Sequence, residues 1–235
     1  MEFKCKEFSL NHTSSSMKVG TDAILLSSLA PRGEKKSILE IGTGCGIISL
    51  SMAQFNKKAK ITAIDVDEDS VLQSSDNFSK SQWAERLFAE HISLQDFAQK
   101  PENHKQYDFV ISNPPYFVNS LQANTSKRTF ARHTDKLPFE DFVDCSLKVA
   151  TPNAKICVIL PALQSDELTT LFKEREVKVE TQINIYSKPS KPVERIIRLY
   201  SIMPIKETEI KNVFIREENG EYSSQYKNIV REILL

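Results

Sequence analysis

Asn113-Pro114-Pro115-Tyr116 closes an apolar run, Tyr107-Asp108-Phe109-Val110-Ile111-Ser112, and its residue types suit a planar nitrogen. An exocyclic amino group or a carboxamide is a poor nucleophile because its lone pair is delocalised. An enzyme that alkylates such a group needs acceptors for the N–H protons and a surface on which the planar group can stack. The Asn113 side-chain oxygen and the Pro114 carbonyl can accept two amino hydrogens, Pro115 fixes the bend, and Tyr116 offers a ring face. Two adjacent prolines block strand and helix alike, so the tetrad belongs in a rigid loop. Taken alone, it also reads as a plain Pro-Pro turn after a buried strand.

Three of the six glycines fall within seven residues, Glu40-Ile41-Gly42-Thr43-Gly44-Cys45-Gly46. This segment follows the strand-like Ser37-Ile38-Leu39 and precedes Ile47 to Gln54, which reads as a helix, giving strand, glycine loop, helix. Such a loop lets backbone approach something closely. The spacing is G-x-G-x-G; a dinucleotide fingerprint needs G-x-G-x-x-G with pyrophosphate at the helix N-terminus, and here Ile47 occupies the sixth position. The shorter loop suits a ligand without phosphates, such as S-adenosylmethionine, and it is also compatible with a tight strand-to-helix turn.

Asp65 closes the next apolar strand, Ile61 to Ile64, about twenty residues past the loop, where a carboxylate in this kind of α/β unit reaches ribose hydroxyls. Asp67 suits the cap of a helix starting near Glu68, and a cap is the competing reading of Asp65. Asp96, after the apolar stretch Leu87 to Leu94, is expected at the end of a third strand, holding an adenine amino group, unless it is a loop or cap acid. In chain order, glycine loop, ribose acid, third-strand acid and amino clamp each end a successive strand of a parallel sheet. Ligands of such sheets bind outside the carboxyl ends of the strands, so the four features converge on one crevice.

At this point the sequence resembles the class I S-adenosylmethionine-dependent methyltransferases, in their amino-methylating branch. Further segments resemble one bacterial family, the enzymes that methylate N6 of adenine beside the anticodon of a valine tRNA: Met17-Lys18-Val19-Gly20-Thr21-Asp22-Ala23-Ile24-Leu25-Leu26, Ser81-Gln82-Trp83-Ala84-Glu85-Arg86 and Ala131-Arg132-His133. The resemblance runs nearly end to end. It implies an α/β, Rossmann-like fold with a mostly parallel seven-stranded sheet, an antiparallel edge hairpin and helices on both faces. It implies S-adenosyl-L-methionine as cofactor and methyl transfer to adenine 37 of the tRNA anticodon stem-loop. Carried over onto this chain, Asn113, Pro114, Pro115 and Tyr116 form the catalytic clamp. Glu40, Gly42, Gly44, Gly46 and Asp65 hold the cofactor, with Lys18, Thr21 and Asp22 near its methionine end; Asp96, from its expected strand-end position, and Asn113 complete the expected cofactor residues.

A length of 235 residues, 40% of them apolar, with no run of eighteen apolar residues and no basic-then-apolar start, leads us to expect one cytoplasmic domain. Within it, residues 1–36 are expected to cover the cofactor site, 37–204 to form the core sheet, and 205–235 to add an edge strand and a C-terminal helix. Cysteines 5, 45, 145 and 157 show no C-x-x-C spacing and no paired histidines, so neither a metal site nor a disulfide framework is expected. A monomer is the expected state.

Net charge is zero, which argues against a nucleic-acid substrate unless basic residues are local. Two clusters meet that condition. Lys127-Arg128 and Arg132-His133 follow the clamp, and Lys188, Lys191, Arg195 and Arg198 surround Pro189 and Pro192. Phe117, Arg128, Arg132, His133, Lys188, Lys191 and Arg195 are therefore the candidate RNA contacts, with Phe117 or Phe130 stacking on a splayed base. The second cluster also reads as a solvated loop, and His133 as an ordinary surface histidine.

The remaining elements complete the α/β pattern. Helices are expected over Phe139–Ala150 and Gln164–Arg175, a buried strand over Ala154–Leu160 ended by Pro161, and strands over Val177–Tyr186, Glu194–Ile202 and Lys211–Glu217. Two other functions are weighed against tRNA methylation. A release-factor-type glutamine methyltransferase shares Asn-Pro-Pro-Tyr but places a helical domain of roughly seventy residues before the glycine loop; a binding-only module has no use for the complete tetrad. An adenine in another RNA remains compatible.

Overall fold

The structure is a computed structural model that describes residues 2–15, 18–114 and 137–235. Its elements are β1 (Glu2–Lys4), β2 (Ser9–Asn11), α1 (Thr21–Leu29), β3 (Ser37–Ile41), α2 (Ile47–Phe55), β4 (Lys60–Asp65), α3 (Glu68–Ser79), β5 (Leu87–His91), α4 (Leu94–Gln99) and β6 (Tyr107–Ser112). After β6 come α5 (Phe139–Val149), β7 (Ala150–Pro161), α6 (Ala162–Glu174), β8 (Lys178–Tyr186), β9 (Val193–Ser201), β10 (Glu209–Phe214) and α7 (Ser224–Val230).

Among the described residues one sheet has eight strands in the order β10-β8-β9-β7-β6-β3-β4-β5. All neighbours pair in parallel except those of β9, which runs antiparallel to both β7 and β8. The seven expected strands are present. The β8–β9 hairpin does not form the edge, however, because β10 adds an eighth strand in parallel to β8, from Glu209 opposite Thr181 to Phe214 opposite Tyr186.

Strict alternation assigns each core strand to two apolar layers. Ile38, Phe109, Ile111, Cys157 and Ile159 face a cluster built with α1, α2 and α7, while Leu39, Val110, Ile156, Val158 and Leu160 face one built with α4, α5 and α6. Burial on both faces is why these strands are continuous apolar runs rather than amphipathic ones. The order reverses between β3 and β6: β4 and β5 follow on one side, β6 and β7 on the other. That reversal opens a crevice at the carboxyl ends of the strands.

The N-terminal hairpin β1–β2 is pinned from two sides. Cys5 bridges to Leu234, and Lys6 N donates to the Ile233 carbonyl at 2.9 Å. The Asn77 side chain, on α3, donates to the carbonyls of Asn11 and Cys45, both at 2.8 Å, so one amide ties the hairpin to the glycine loop. In the Ser81–Arg86 segment, Trp83 packs edge-on against Phe8. Arg86 donates to the carbonyls of Asn56 and Ala59 at 3.0 Å and to that of Ala53, closing the C-terminal end of α2. That segment holds the frame together and contributes no residue to the cavity wall.

Candidate active site

A cavity of ≈ 620 Å³ occupies the switch point. The glycine loop forms its floor: Gly42 N and Thr43 N both donate to the Ile64 carbonyl, at 2.9 and 3.2 Å, and Gly46 N donates to Thr43 O at 2.9 Å. Gly42, Gly44 and Gly46 have φ of +76°, +53° and +84°, in the left-handed region where a Cβ is penalised. A Cβ on Gly42 would meet nothing within 4 Å, whereas one on Gly46 would lie 2.5 Å from Cε1 of Phe78. Gly42 leaves the floor open toward the cavity; Gly46 lets α3 pack behind the loop.

Glu40 and Gly46 are absent from the cavity wall. Glu40 is 0% exposed and lies beneath the loop, where its Oε2 accepts from Thr43 Oγ1 at 3.0 Å, from Ser49 N at 3.1 Å and from Ser49 Oγ. Burial pushes its carboxyl up to about 8, against the pull of those hydrogen bonds. Glu40 therefore shapes the loop and the first turn of α2. Thr43, which the sequence analysis did not single out, is one of the residues that hold its carboxylate.

Asp65 lines the cavity from the end of β4, with Oδ2 accepting from Gly44 N at 2.9 Å and Oδ1 from Asp67 N at 3.0 Å. Its carboxyl is held above the usual carboxylate range by burial. Asp67 caps α3, accepting from Ser70 N at 3.1 Å.

Asp96 departs from the sequence reading. The third strand stops at His91, and Asp96 stands in the first turn of α4, where Ser93 Oγ accepts from its backbone N at 3.0 Å and donates to its carboxylate at 2.7 Å. It is a cap acid outside the cavity wall. In its place Ile92, Leu94 and Gln95 line this side, facing Ile41, Ile64 and Val66. The Ser93-x-x-Asp96 spacing was the available signal for a capping box.

Lys18, Thr21 and Asp22 close the cavity from the N-terminal side, together with Gly20 and Ala23. The approach to α1 is fixed by His12, whose buried Nδ1 accepts from Val19 N at 3.1 Å; burial holds that imidazole below its ordinary pKa. Asn113 and Pro114 complete the wall at the end of β6. Asn113 Oδ1 is buried and has no hydrogen-bond partner among the described residues. An unpaired buried acceptor costs about 1–3 kcal/mol, which a donor on a bound molecule would recover. Pro115, Tyr116, Phe117, Arg128, Arg132 and His133 lie outside the described residues.

The second basic cluster divides. Lys188 and Lys191 sit in the β8–β9 loop at the same end of the sheet as Asn113, with Lys188 Nζ 3.4 Å from the Glu218 carbonyl. Arg195, at the start of β9, instead pairs with Asp22 at 3.0 Å. Arg198 is only 6% exposed and donates to Gln182 Oε1, Ser165 O, Thr169 Oγ1 and Asp166 Oδ1 at 2.6–3.0 Å. Arg198 is a structural cation that braces α6 on the sheet.

The cavity fits the expected cofactor: an open glycine floor without a phosphate cradle, a carboxylate at a strand end, and an apolar slot between Ile41, Ile64 and Ile92 for a planar base. Among the described residues no cluster of three or more His, Cys, Asp or Glu is placed to hold a metal, and no helix is long and apolar enough to cross a membrane. The four cysteines are free thiols; burial pushes Cys5 and Cys157 up to about 12.

Comparison with known proteins agrees with this geometry. The methyltransferase small domain model matches residues 12–137. The tRNA1(Val) (adenine(37)-N6)-methyltransferase of Flavobacterium johnsoniae is 34% identical over 234 residues, covering 99% of both chains. This chain belongs to that methyltransferase family. Family members of the same name from Parabacteroides distasonis and Yersinia enterocolitica are 33% and 34% identical, over 99% of this chain and 97% and 92% of theirs. Among solved structures, a predicted O-methyltransferase from Agrobacterium tumefaciens superposes with a TM-score of 0.70 at 14% identity, covering 92% of this chain and 98% of its own. A Pyrococcus horikoshii protein in complex with MeSAdo gives 0.55 at 15% identity over 79% and 64%. These two likenesses concern the fold: the class I methyltransferase architecture is the one into which this family's sequence folds.

Proposed function

We propose that the chain transfers a methyl group from S-adenosyl-L-methionine to N6 of the adenine at position 37 of a valine tRNA, engaging the anticodon stem-loop as a monomer in the cytoplasm and acting as one methyltransferase domain. The observation that carries this reading is Asn113 Oδ1, a buried acceptor without a partner among the described residues, at the wall of a cavity floored by a glycine loop. The names of the full-length relatives supply the target atom and the RNA.

When bound, S-adenosylmethionine supplies an electrophilic methyl group on a sulfonium. The chain's own residues do the rest. Asp65 faces the ribose hydroxyls, Gly42 and Gly44 let backbone approach the ligand, and Lys18, Thr21 and Asp22 close over the methionine end. Asn113 Oδ1 and the Pro114 carbonyl accept the amino hydrogens, turning the N6 lone pair toward the methyl group, with Pro115 and Tyr116 completing the clamp by family resemblance. No general base is needed early, because the amino proton becomes acidic only after transfer; positioning and exclusion of water are the protein's contribution. A loop adenine is already partly unstacked, so turning it into the pocket costs at most a few kcal/mol. Lys188 and Lys191, with Arg128, Arg132 and His133, face the RNA backbone, and Phe117 offers a stacking face.

The test is methyl incorporation from labelled S-adenosylmethionine into tRNA from cells lacking this gene, followed by nucleoside analysis. Label in N6-methyladenosine of a valine tRNA is expected. Unlabelled tRNA beside glutamine-labelled protein would overturn the substrate.

A further inference from the structure

Asp22 and Arg195 lie 173 residues apart and meet at 3.0 Å, Nε to Oδ2, with side chains 24% and 30% exposed. Each belongs to a different part of the molecule. Asp22 is the second residue of α1 and lines the cavity beside Gly20 and Thr21. Arg195 opens β9, opposite Pro161 of β7 and Ile185 of β8, two strands beyond the β6 end that carries Asn113. Its backbone emerges from the loop that holds Lys188 and Lys191.

This pair holds the start of α1 together with the Val19–His12 hydrogen bond. Its N-cap, Gly20, makes no side-chain hydrogen bond, whereas α3, α4 and α7 are each capped by Asp67, Ser93 or Ser223. The apolar residues of α1, from Ala23 to Leu26, are buried in the core shared with α2 and α7, but Thr21 and Asp22 project past that core into the cavity wall. The ion pair ties the first turn of α1 to the hairpin that carries Lys188 and Lys191. A planar guanidinium fixed at Nε holds direction as well as distance, which a lysine ammonium does not.

We propose that Arg195 is a positioning residue that couples the two substrates: RNA docked on the Lys188–Lys191 loop restrains the start of β9, and Arg195 transmits that restraint through Asp22 to the cofactor wall. The inference rests on the reading of the cavity as the cofactor site and of the hairpin as an RNA surface. Coupling between two binding sites is reciprocal, so each ligand tightens the other by the same factor. It also moves Arg195 from the list of RNA contacts to the cofactor side of the reaction.

The experiment measures the dissociation constant of S-adenosylhomocysteine for the full chain, with and without saturating unmodified tRNA transcript, in wild type, Arg195→Ala, Arg195→Lys and Asp22→Ala/Arg195→Ala. We expect tRNA to tighten the wild-type constant about 5-fold or more, the range of ordinary coupling energies. Arg195→Ala should weaken binding without RNA and lose the tightening, raising the cofactor KM while kcat at saturation changes little. Arg195→Lys should restore binding but only part of the coupling. The double variant, compared with Asp22→Ala, should show no further loss. Equal tightening in wild type and Arg195→Ala overturns this inference and leaves the function standing. Failure of wild type to bind S-adenosylhomocysteine at all overturns both.

Discussion

Glu40 and Ser49 are joined by two hydrogen bonds to one carboxylate oxygen, from the backbone N at 3.1 Å and from the hydroxyl, beneath a loop whose third holder is Thr43. The sequence pattern E-x-G-x-G-x-G is thus a structural unit as much as a ligand surface: the acid sets the path of the glycines without entering the cavity.

A pH dependence follows from this buried carboxyl. Its pKa in the fold, about 8, stands above the ordinary value of 4.5, so the folded state binds the proton more tightly than the unfolded chain. Stability from this group is fully present below about 4.5, declines as pH rises, and is exhausted above about 8. Glu40→Gln should flatten the fall in melting temperature between pH 6 and pH 8.5 while weakening S-adenosylhomocysteine binding. Parallel curves for the two proteins would show that Glu40 does not titrate in this range.

Asn113→Ala should lower kcat by about 10²-fold or more, the cost of removing one preorganised hydrogen-bonding group at a reacting centre, while leaving S-adenosylhomocysteine affinity largely intact. Single-turnover methylation and equilibrium binding on the same preparation separate the two. Near-normal turnover would sink the clamp assignment.

Asp65→Ala removes a carboxylate that also accepts from Gly44 N and Asp67 N. Its first effect should be on cofactor binding, a loss of about 10- to 100-fold, as expected for hydrogen bonds to a charged group. Asp65→Asn keeps one acceptor oxygen for Gly44 N or Asp67 N and turns its NH2 toward the other, so it should keep more of the wild-type melting temperature than Asp65→Ala while losing affinity to a similar extent. An unchanged affinity in both variants would remove Asp65 from the site.

Gly46→Ala places a Cβ 2.5 Å from Phe78 Cε1 on a backbone at φ +84°. We expect a loss of about 1–3 kcal/mol in urea denaturation, from overpacking and the left-handed backbone together. Gly46→Ala combined with Phe78→Leu should recover part of it; no recovery would mean that the backbone alone sets the requirement.

Much of the fold is legible in the sequence, because its signals are local. Continuous apolar runs at Ser37, Ile61, Tyr107 and Ala154 announce strands buried on both faces, three closely spaced glycines announce a strand-to-helix loop, and Asp67 before Glu68 announces a cap. The order of these signals along the chain was enough to place Asp65, the glycine loop and Asn113 at one end of one sheet.

Asp96 shows where local reading failed. Periodicity cannot separate the end of a short strand from the start of the following helix, so the apolar residues Leu87 to Leu94 read as one strand, although the strand stops at His91 and Ser93 caps α4. β10 was expected at an edge, but only its pairing with β8 showed that the hairpin lies inside it.

The chain by itself determined the class of chemistry, since alternation, glycine spacing and the Asn-Pro-Pro-Tyr tetrad are properties of neighbouring residues. Tertiary structure alone decided which charges are spent within the protein. Nothing in the sequence around Arg195 or Arg198 distinguishes them from Lys188 and Lys191; yet Arg195 reaches Asp22 and Arg198 is buried against Gln182 and Asp166. An ion pair depends on where two backbones cross in space, and a separation of 173 residues leaves no trace of that crossing in local composition.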